Sequence, residues 1–113
     1  MNYSLIIQIF NEGKLLNNLL ADLKLLDETI EVILVDDGSD DETPKILKNV
    51  KNYTVITNSH NNGKGAAIKN GLKIAKNKNV ILFDGDLEIK AKSIPKLIKN
   101  YEKNNYLPIT GIR

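Results

Sequence analysis

The chain has 113 residues, with no cysteine, no tryptophan, one histidine, three prolines and 5% aromatics. Without cysteine there is neither a disulfide nor a thiolate metal site. His60 has no partner motif and reads as a loop residue rather than a base. No apolar run is long enough to cross a bilayer. The start, Met1-Asn2-Tyr3-Ser4-Leu5-Ile6-Ile7, lacks a basic leader and reads as a first strand rather than a signal peptide. A cytosolic location is therefore the expectation, with attraction to an anionic membrane surface the weaker reading. In such a chain the sequons Asn2-Tyr3-Ser4 and Asn52-Tyr53-Thr54 carry no meaning. Internal repeats, linkers and low-complexity segments are absent as well.

The net charge of +2 conceals an asymmetry. Residues 1–43 hold ten acids and two lysines, while residues 44–113 hold fourteen bases and four acids. The lysines are spread singly over several expected helices, with no compact basic run and no aromatic stacking motif. They read as solvated helix faces, and nucleic acid is not an expected partner.

Short apolar runs alternate with helix-period stretches. Residues 4–10 form a run rich in Ile and Leu that suits a strand buried on both faces. Leu15, Leu16, Leu19, Leu20, Leu23 and Leu26 then recur at helical spacing, with Asn11 as the expected N-cap. A second strand is expected over 31–35. Thr43-Pro44, a cap followed by proline at the first turn, opens a short helix with Ile46, Leu47 and Val50 inward. A third strand is expected over 53–57, then a loop over 58–63. A helix over 64–76 should turn Ala67, Ile68, Gly71, Leu72 and Ala75 inward. A fourth strand over 79–83, a helix over 93–103 and a fifth strand over 106–112, weakened by Pro108, complete the pattern. This alternation implies a single α/β domain: a mostly parallel, Rossmann-like sheet of about five strands with helices on both faces. An open edge strand would suit pairing with a second copy or a partner subunit.

Four polar clusters fall at the carboxyl ends of strands, the edge where such sheets bind ligands. They are Asn11-Glu12, Asp36-Asp37-Gly38-Ser39-Asp40-Asp41, Asn62-Gly63-Lys64-Gly65 and Asp84-Gly85-Asp86-Leu87-Glu88. In the second, Gly38 makes a tight turn and the acids sit near the positive end of a helix. Five carboxylates over residues 36–42 exceed what a turn needs. Asp37 is thus a candidate acceptor for a nucleobase N–H or a ribose hydroxyl, whereas Asp36 suits either that role or orienting the loop. The third cluster allows close approach of a phosphate to backbone and to Lys64, or simply tight helix–sheet packing. It lacks the P-loop spacing.

The fourth cluster is the most informative. Asp84, Asp86 and Glu88 stand at i, i+2 and i+4 just past the apolar run Val80-Ile81-Leu82-Phe83. An extended segment puts alternate side chains on one face. Three converging acids repel one another unless a cation lies between them, and a hard ion such as Mg²⁺ or Mn²⁺ prefers such oxygen ligands. The bland alternative is a solvated acidic turn.

Taken in order, four blocks resemble the nucleotide-sugar-binding half of inverting glycosyltransferase family 2, which has the GT-A fold. They are Ser4-Leu5-Ile6-Ile7-Gln8-Ile9-Phe10-Asn11-Glu12, Val35-Asp36-Asp37-Gly38-Ser39, Asn62-Gly63-Lys64-Gly65-Ala66-Ala67 and Leu82-Phe83-Asp84-Gly85-Asp86-Leu87-Glu88. Within the family the resemblance is to dolichyl-phosphate mannose synthases and related polyprenyl-phosphate sugar transferases. Ile109-Thr110-Gly111-Ile112-Arg113 resembles their strand ending in Gly-Ser-Arg or Gly-Thr-Arg. Gln8 stands where members usually carry proline, and Phe10 where many carry tyrosine.

The resemblance implies a role for each matched position. Asp37 would contact the nucleobase, and Gln8, Phe10, Glu12 and Val35 would line the nucleoside pocket. Asp84 and Gly85 would lie against the ribose and diphosphate, and Arg113 would reach the diphosphate. Asp84, Asp86 and Glu88 would hold Mg²⁺ or Mn²⁺, with Asp86 the residue marked for catalysis. The donor would be a GDP- or UDP-sugar and the acceptor a polyprenyl phosphate, which is already ionised and needs no strong base. A non-catalytic nucleotide-sugar or metal-binding module serving a partner subunit is the alternative. A phospho-acceptor signalling domain fits poorly, because the acid pair follows the second strand and no lysine ends the fifth.

Overall fold

A computed structural model describes residues 2–58 and 64–84, with 64, 65, 67, 83 and 84 described by their backbone. Strands and helices alternate as β1 (Tyr3–Ile9), α1 (Gly13–Leu23), β2 (Glu31–Asp36), α2 (Thr43–Lys48), β3 (Thr54–Thr57), α3 (Lys64–Ile74) and β4 (Asn79–Asp84). All pairings are parallel, and the strand order is β3-β2-β1-β4. The helix expected over 93–103 and the strand expected over 106–112 lie outside the described residues.

Alternation along each strand divides the core. Leu5, Ile7 and Ile9 of β1, Val32 and Leu34 of β2 and Ile81 of β4 pack with Leu16, Leu19 and Leu23 of α1 and Leu47 of α2. Ile6, Ile33 and Val35 face the other way, with Ile56, Val80, Leu82 and Ala75 around them. Strands covered on both faces carry the uninterrupted apolar runs seen in the sequence. On the second face α3 packs against β1 and β2. Gly71 makes this approach close: a Cβ there would lie 2.7 Å from Ile6 Cγ2.

The chain runs outward from β1 to β2 and β3, with α1 and α2 on one face. It then returns across the opposite face through α3 and lays β4 on the free side of β1. The strand order therefore reverses at β1, and the crevice such a reversal opens lies at the carboxyl ends of β1 and its neighbours.

Several expectations are corrected. Asn11 does not cap α1; Glu12 holds the N-cap position, without a side-chain cap. Asn11 instead adopts a left-handed φ of 52° and uses its side chain on the next loop. Leu15 and Leu72, expected inward, are 41% and 46% exposed. Leu15 adjoins the buried stripe of Leu16, Leu19 and Leu23, and Leu72 follows the buried Gly71 on the outer side of α3. Thr43, expected as the cap of α2, is its first residue, with Glu42 at the N-cap position, and the Thr43 N–H donates to Asp41 Oδ1 at 2.8 Å. β2 extends one residue beyond the expected range, to Asp36.

Candidate functional site

The rim formed by the carboxyl ends of β1, β2 and β4 brings together residues from distant parts of the sequence. Gln8 of β1 is in register with Val35 of β2 on one side and with Asp84 of β4 on the other. Two strand spacings put the Cα atoms of Val35 and Asp84 about 10 Å apart. Val35 is fully buried and Gln8 half-buried. Phe10, just past β1, is 37% exposed. Glu12 is half-buried at the head of α1, where its carbonyl accepts the N–H groups of Leu15 and Leu16 at 3.0 and 2.9 Å. A carboxylate at that helix end is favoured by the helix dipole.

Asp36 and Asp37 are both buried, at 0% and 1% exposure. That burial separates them from ordinary turn acids, which stay in water. Asp36 Oδ1 accepts the Ser39 N–H at 3.0 Å, closing the turn in which Gly38 takes a φ of 81°. Asp36 Oδ2 is buried with no hydrogen-bond partner among the described residues. Asp37 is held from two sides. Its N–H donates to the Ile9 carbonyl at 2.9 Å, and its Oδ1 accepts Asn58 Nδ2 at 3.2 Å. Asn58 also donates its backbone N–H to the Asp36 carbonyl at 2.8 Å, and its Oδ1 accepts Asn70 Nδ2 at 2.9 Å.

A second set of bonds joins the loop after β1 to the loop after β2. The Asn11 N–H donates to Ser39 Oγ at 2.9 Å, and Asn11 Oδ1 accepts the Asp40 N–H at 2.9 Å. Asp41 Oδ2 accepts the Gly13 N–H at 3.1 Å. The Thr43 side chain, with the N–H groups of Thr43 and Gly13, holds the Asp41 carboxyl below its ordinary value. The dense acids of residues 36–42 thus split into two groups. Asp36 and Asp37 are buried at the rim, while Asp41 buckles two loops together.

Of the residues expected at a site, Gln8, Val35, Asp37 and the backbone of Asp84 meet at this rim. Gly85, Asp86, Glu88, Arg113, His60 and the Asn62-Gly63 pair lie outside the described residues. Among the described residues no three acidic or histidine side chains group as a cation site, and no helix is long and apolar enough to cross a membrane. Asn58 and Asn70 were missed by sequence reasoning. Asn70 offered one signal, an asparagine inside a helix, where it is a poor helix former, and Asn58 offered none.

Residues 4–113 match Glycosyl transferase family 2, and the chain belongs to that family. It is 42% identical over 96% of its length to the uncharacterized protein MJ0544 of Methanocaldococcus jannaschii, covering 50% of that protein. It is 33% identical over 88% of its length to the undecaprenyl-phosphate 4-deoxy-4-formamido-L-arabinose transferase of Pseudomonas syringae pv. syringae, covering 32% of it. S. aureus TarS 1-349 in complex with UDP-GlcNAc superposes with a TM-score of 0.74 at 28% identity, over 93% of this chain and 32% of that one. The fold is that of the GT-A, Rossmann-like glycosyltransferases. The chain spans about half the length of the first of these relatives and about a third of the second.

Proposed function

We propose that this chain binds the donor of a glycosyl transfer, a GDP- or UDP-sugar, at the carboxyl rim of β1, β2 and β4, and that the sugar passes to a polyprenyl phosphate. The observation that carries the reading is the buried Asp37 beside a rim where Gln8 is in register with both Val35 and Asp84. An ionised carboxylate is an acceptor only, so Asp37 selects a base that offers N–H. Gln8, Phe10, Glu12 and Val35 line the nucleoside pocket, and Asp84 and Gly85 lie against the ribose and diphosphate.

Asp84, Asp86 and Glu88 supply only hard oxygen donors, which suit Mg²⁺ or Mn²⁺. Bound there, such an ion neutralises the departing nucleoside diphosphate. Asp86 is then the catalytic ligand, and Arg113 adds a second positive group at the diphosphate. Support for the donor comes from TarS, solved with UDP-GlcNAc. Support for the acceptor comes from the arabinose transferase, whose name specifies undecaprenyl phosphate. A polyprenyl acceptor would bring the protein to a membrane surface.

Thermal unfolding with UDP, GDP and their sugars, with and without Mg²⁺ or Mn²⁺, tests the donor site, since a ligand of the folded state raises its stability. The expected result is stabilisation that needs the cation and is lost in Asp37→Ala and Asp86→Asn. Unchanged cation-dependent binding in Asp86→Asn would overturn the metal assignment. Radiolabelled nucleotide sugars offered with polyprenyl phosphate test transfer. Saturable binding without transfer would make the chain a binding module acting with another subunit.

A further inference from the structure

We infer that Asn70 is a positioning residue for the base-reading carboxylate, acting through Asn58; this rests on the donor-site reading of Asp37. The three side chains form one line. Asn70 Nδ2 donates to Asn58 Oδ1 at 2.9 Å, and Asn58 Nδ2 donates to Asp37 Oδ1 at 3.2 Å. They come from α3, the loop after β3 and the turn after β2, so three separate segments converge on one carboxylate.

The polarity of the line follows from its end. The Asp37 carboxylate can only accept, so Asn58 must present its NH₂ there. That leaves Asn58 Oδ1 facing α3, where a donor is needed to satisfy it. Asn70 supplies that donor. Without it, the Asn58 amide gains nothing from its present orientation at its far end. Turning the amide over would set Oδ1 against the Asp37 carboxylate, oxygen to oxygen. The Asn58 backbone is itself anchored, because its N–H donates to the Asp36 carbonyl at 2.8 Å. The side-chain torsions are therefore the freedom left in the residue, and Asn70 restrains them from the far end of the amide.

The packing of α3 makes the reach possible. Gly71, next in sequence, lets the helix sit close on Ile6. Asn70 is half-buried, so its amide bond to Asn58 is sheltered from competing water. An asparagine in mid-helix offers the helix itself little, whereas in this line it fixes the direction in which Asp37 meets a base.

The test compares ligands with and without a base. Affinities of UDP, GDP and inorganic pyrophosphate, each with Mg²⁺, are measured on the full chain for Asn70→Ala, Asn58→Ala, the double variant and Asp37→Ala. Alanine is the best helix former, and thermal unfolding reports whether each variant folds. Asn70→Asp, nearly the same shape but unable to donate, serves as a second probe, measured at raised salt so that its added charge is screened. The expected result is up to about tenfold weaker UDP or GDP binding in Asn70→Ala and Asn70→Asp, the upper end of what a neutral amide–amide hydrogen bond contributes. Pyrophosphate binding should not change. In the Asn58→Ala background, Asn70→Ala should add nothing, because the two residues act in series. Equal losses for pyrophosphate and nucleotides, or additive losses in the double variant, would overturn the inference. If Asp37→Ala itself leaves nucleotide binding intact, the donor-site reading fails. If Asp37→Ala abolishes base preference while Asn70→Ala and Asn70→Asp leave it intact, only the positioning role fails.

Discussion

Gln8 of β1 stands in register with Asp84 of β4 at the point where the strand order reverses. Two blocks separated by most of the described chain are thereby made neighbours, with Val35 and the buried Asp37 on the next strand and its turn. A parallel sheet with reversed order does this for any chain; here the junction carries a neutral amide, Gln8, between acids.

That neutrality is a testable property. Gln8→Glu keeps the shape of the side chain and adds a negative charge between Asp37 and Asp84. In a partly buried rim a like charge is felt strongly, and a diphosphate ligand adds to the repulsion. UDP and GDP binding should weaken by about tenfold or more, with a loss that shrinks as salt is raised. Isothermal titration at two ionic strengths measures both effects. Unchanged affinity would mean that Gln8 does not face the bound nucleotide.

Asn11 makes a different kind of prediction. Its left-handed φ of 52° and its acceptance of the Asp40 N–H are separable contributions. Asn11→Gly keeps the backbone conformation and loses the bond, at about 0.5–1.5 kcal/mol. Asn11→Ala loses the bond and also adds the left-handed penalty, about 1–2 kcal/mol more. Urea unfolding should therefore rank wild type above Asn11→Gly and Asn11→Gly above Asn11→Ala. Equal stability of the two variants would show that the turn relaxes away from its left-handed form.

Much of this architecture was legible beforehand, for identifiable reasons. The strands announced themselves as short Ile, Leu and Val runs, and Gly38 marked its turn because only glycine enters that conformation freely. The rim clusters were visible as acids and amides following those runs. What escaped depended on contacts between distant segments. Asn11 looks like a helix cap from its neighbours, but its side chain is committed to Asp40, 29 positions away. Leu72 fits a helical period yet points outward, since the buried side of α3 is set by where Gly71 meets Ile6. Asn58 carries no local pattern and Asn70 only that of a poor helix former; their bond spans a loop and a helix, and its meaning depends on Asp37 at the other end.

Acid should weaken the fold through the carboxylates whose values are lowered. Asp41 is held down by the Thr43 side chain and the N–H groups of Thr43 and Gly13, and Asp27 by the Thr29 N–H. A lowered folded value means the folded state favours the charged form. This stabilisation is complete above the ordinary aspartate value of about 3.9 and is lost as pH falls through the lower folded value. Asp41→Asn should thus be less stable than wild type near neutrality, and the two curves should converge in strong acid. Urea midpoints followed down the acid limb measure the gap. A gap that stays constant with pH would assign the effect of the substitution to packing rather than charge.

Gly71 couples stability to the site. Its absent side chain leaves room for Ile6, and a Cβ at that position would come within 2.7 Å of Ile6 Cγ2. Ile6 is 1% exposed and sits in the central strand, so it cannot swing into solvent. Gly71→Val must then push α3 away from the sheet, an overpacking cost of about 1–3 kcal/mol that outweighs the small gain in helix propensity. The displacement also draws Asn70 away from Asn58, whose backbone stays tied to β2 by its bond to the Asp36 carbonyl. Chemical unfolding should show the stability loss. At temperatures where the variant remains folded, UDP and GDP should bind more weakly while pyrophosphate binds as before. Trimming the neighbour with Ile6→Ala removes Cγ2, Cγ1 and Cδ1, the atoms that a Cβ at position 71 meets, so α3 can settle back and the double variant, where it stays folded, should recover nucleotide affinity over Gly71→Val alone. Stability lost with no change in nucleotide affinity would separate the helix packing from the rim and show that α3 holds the sheet without orienting what lies at its edge.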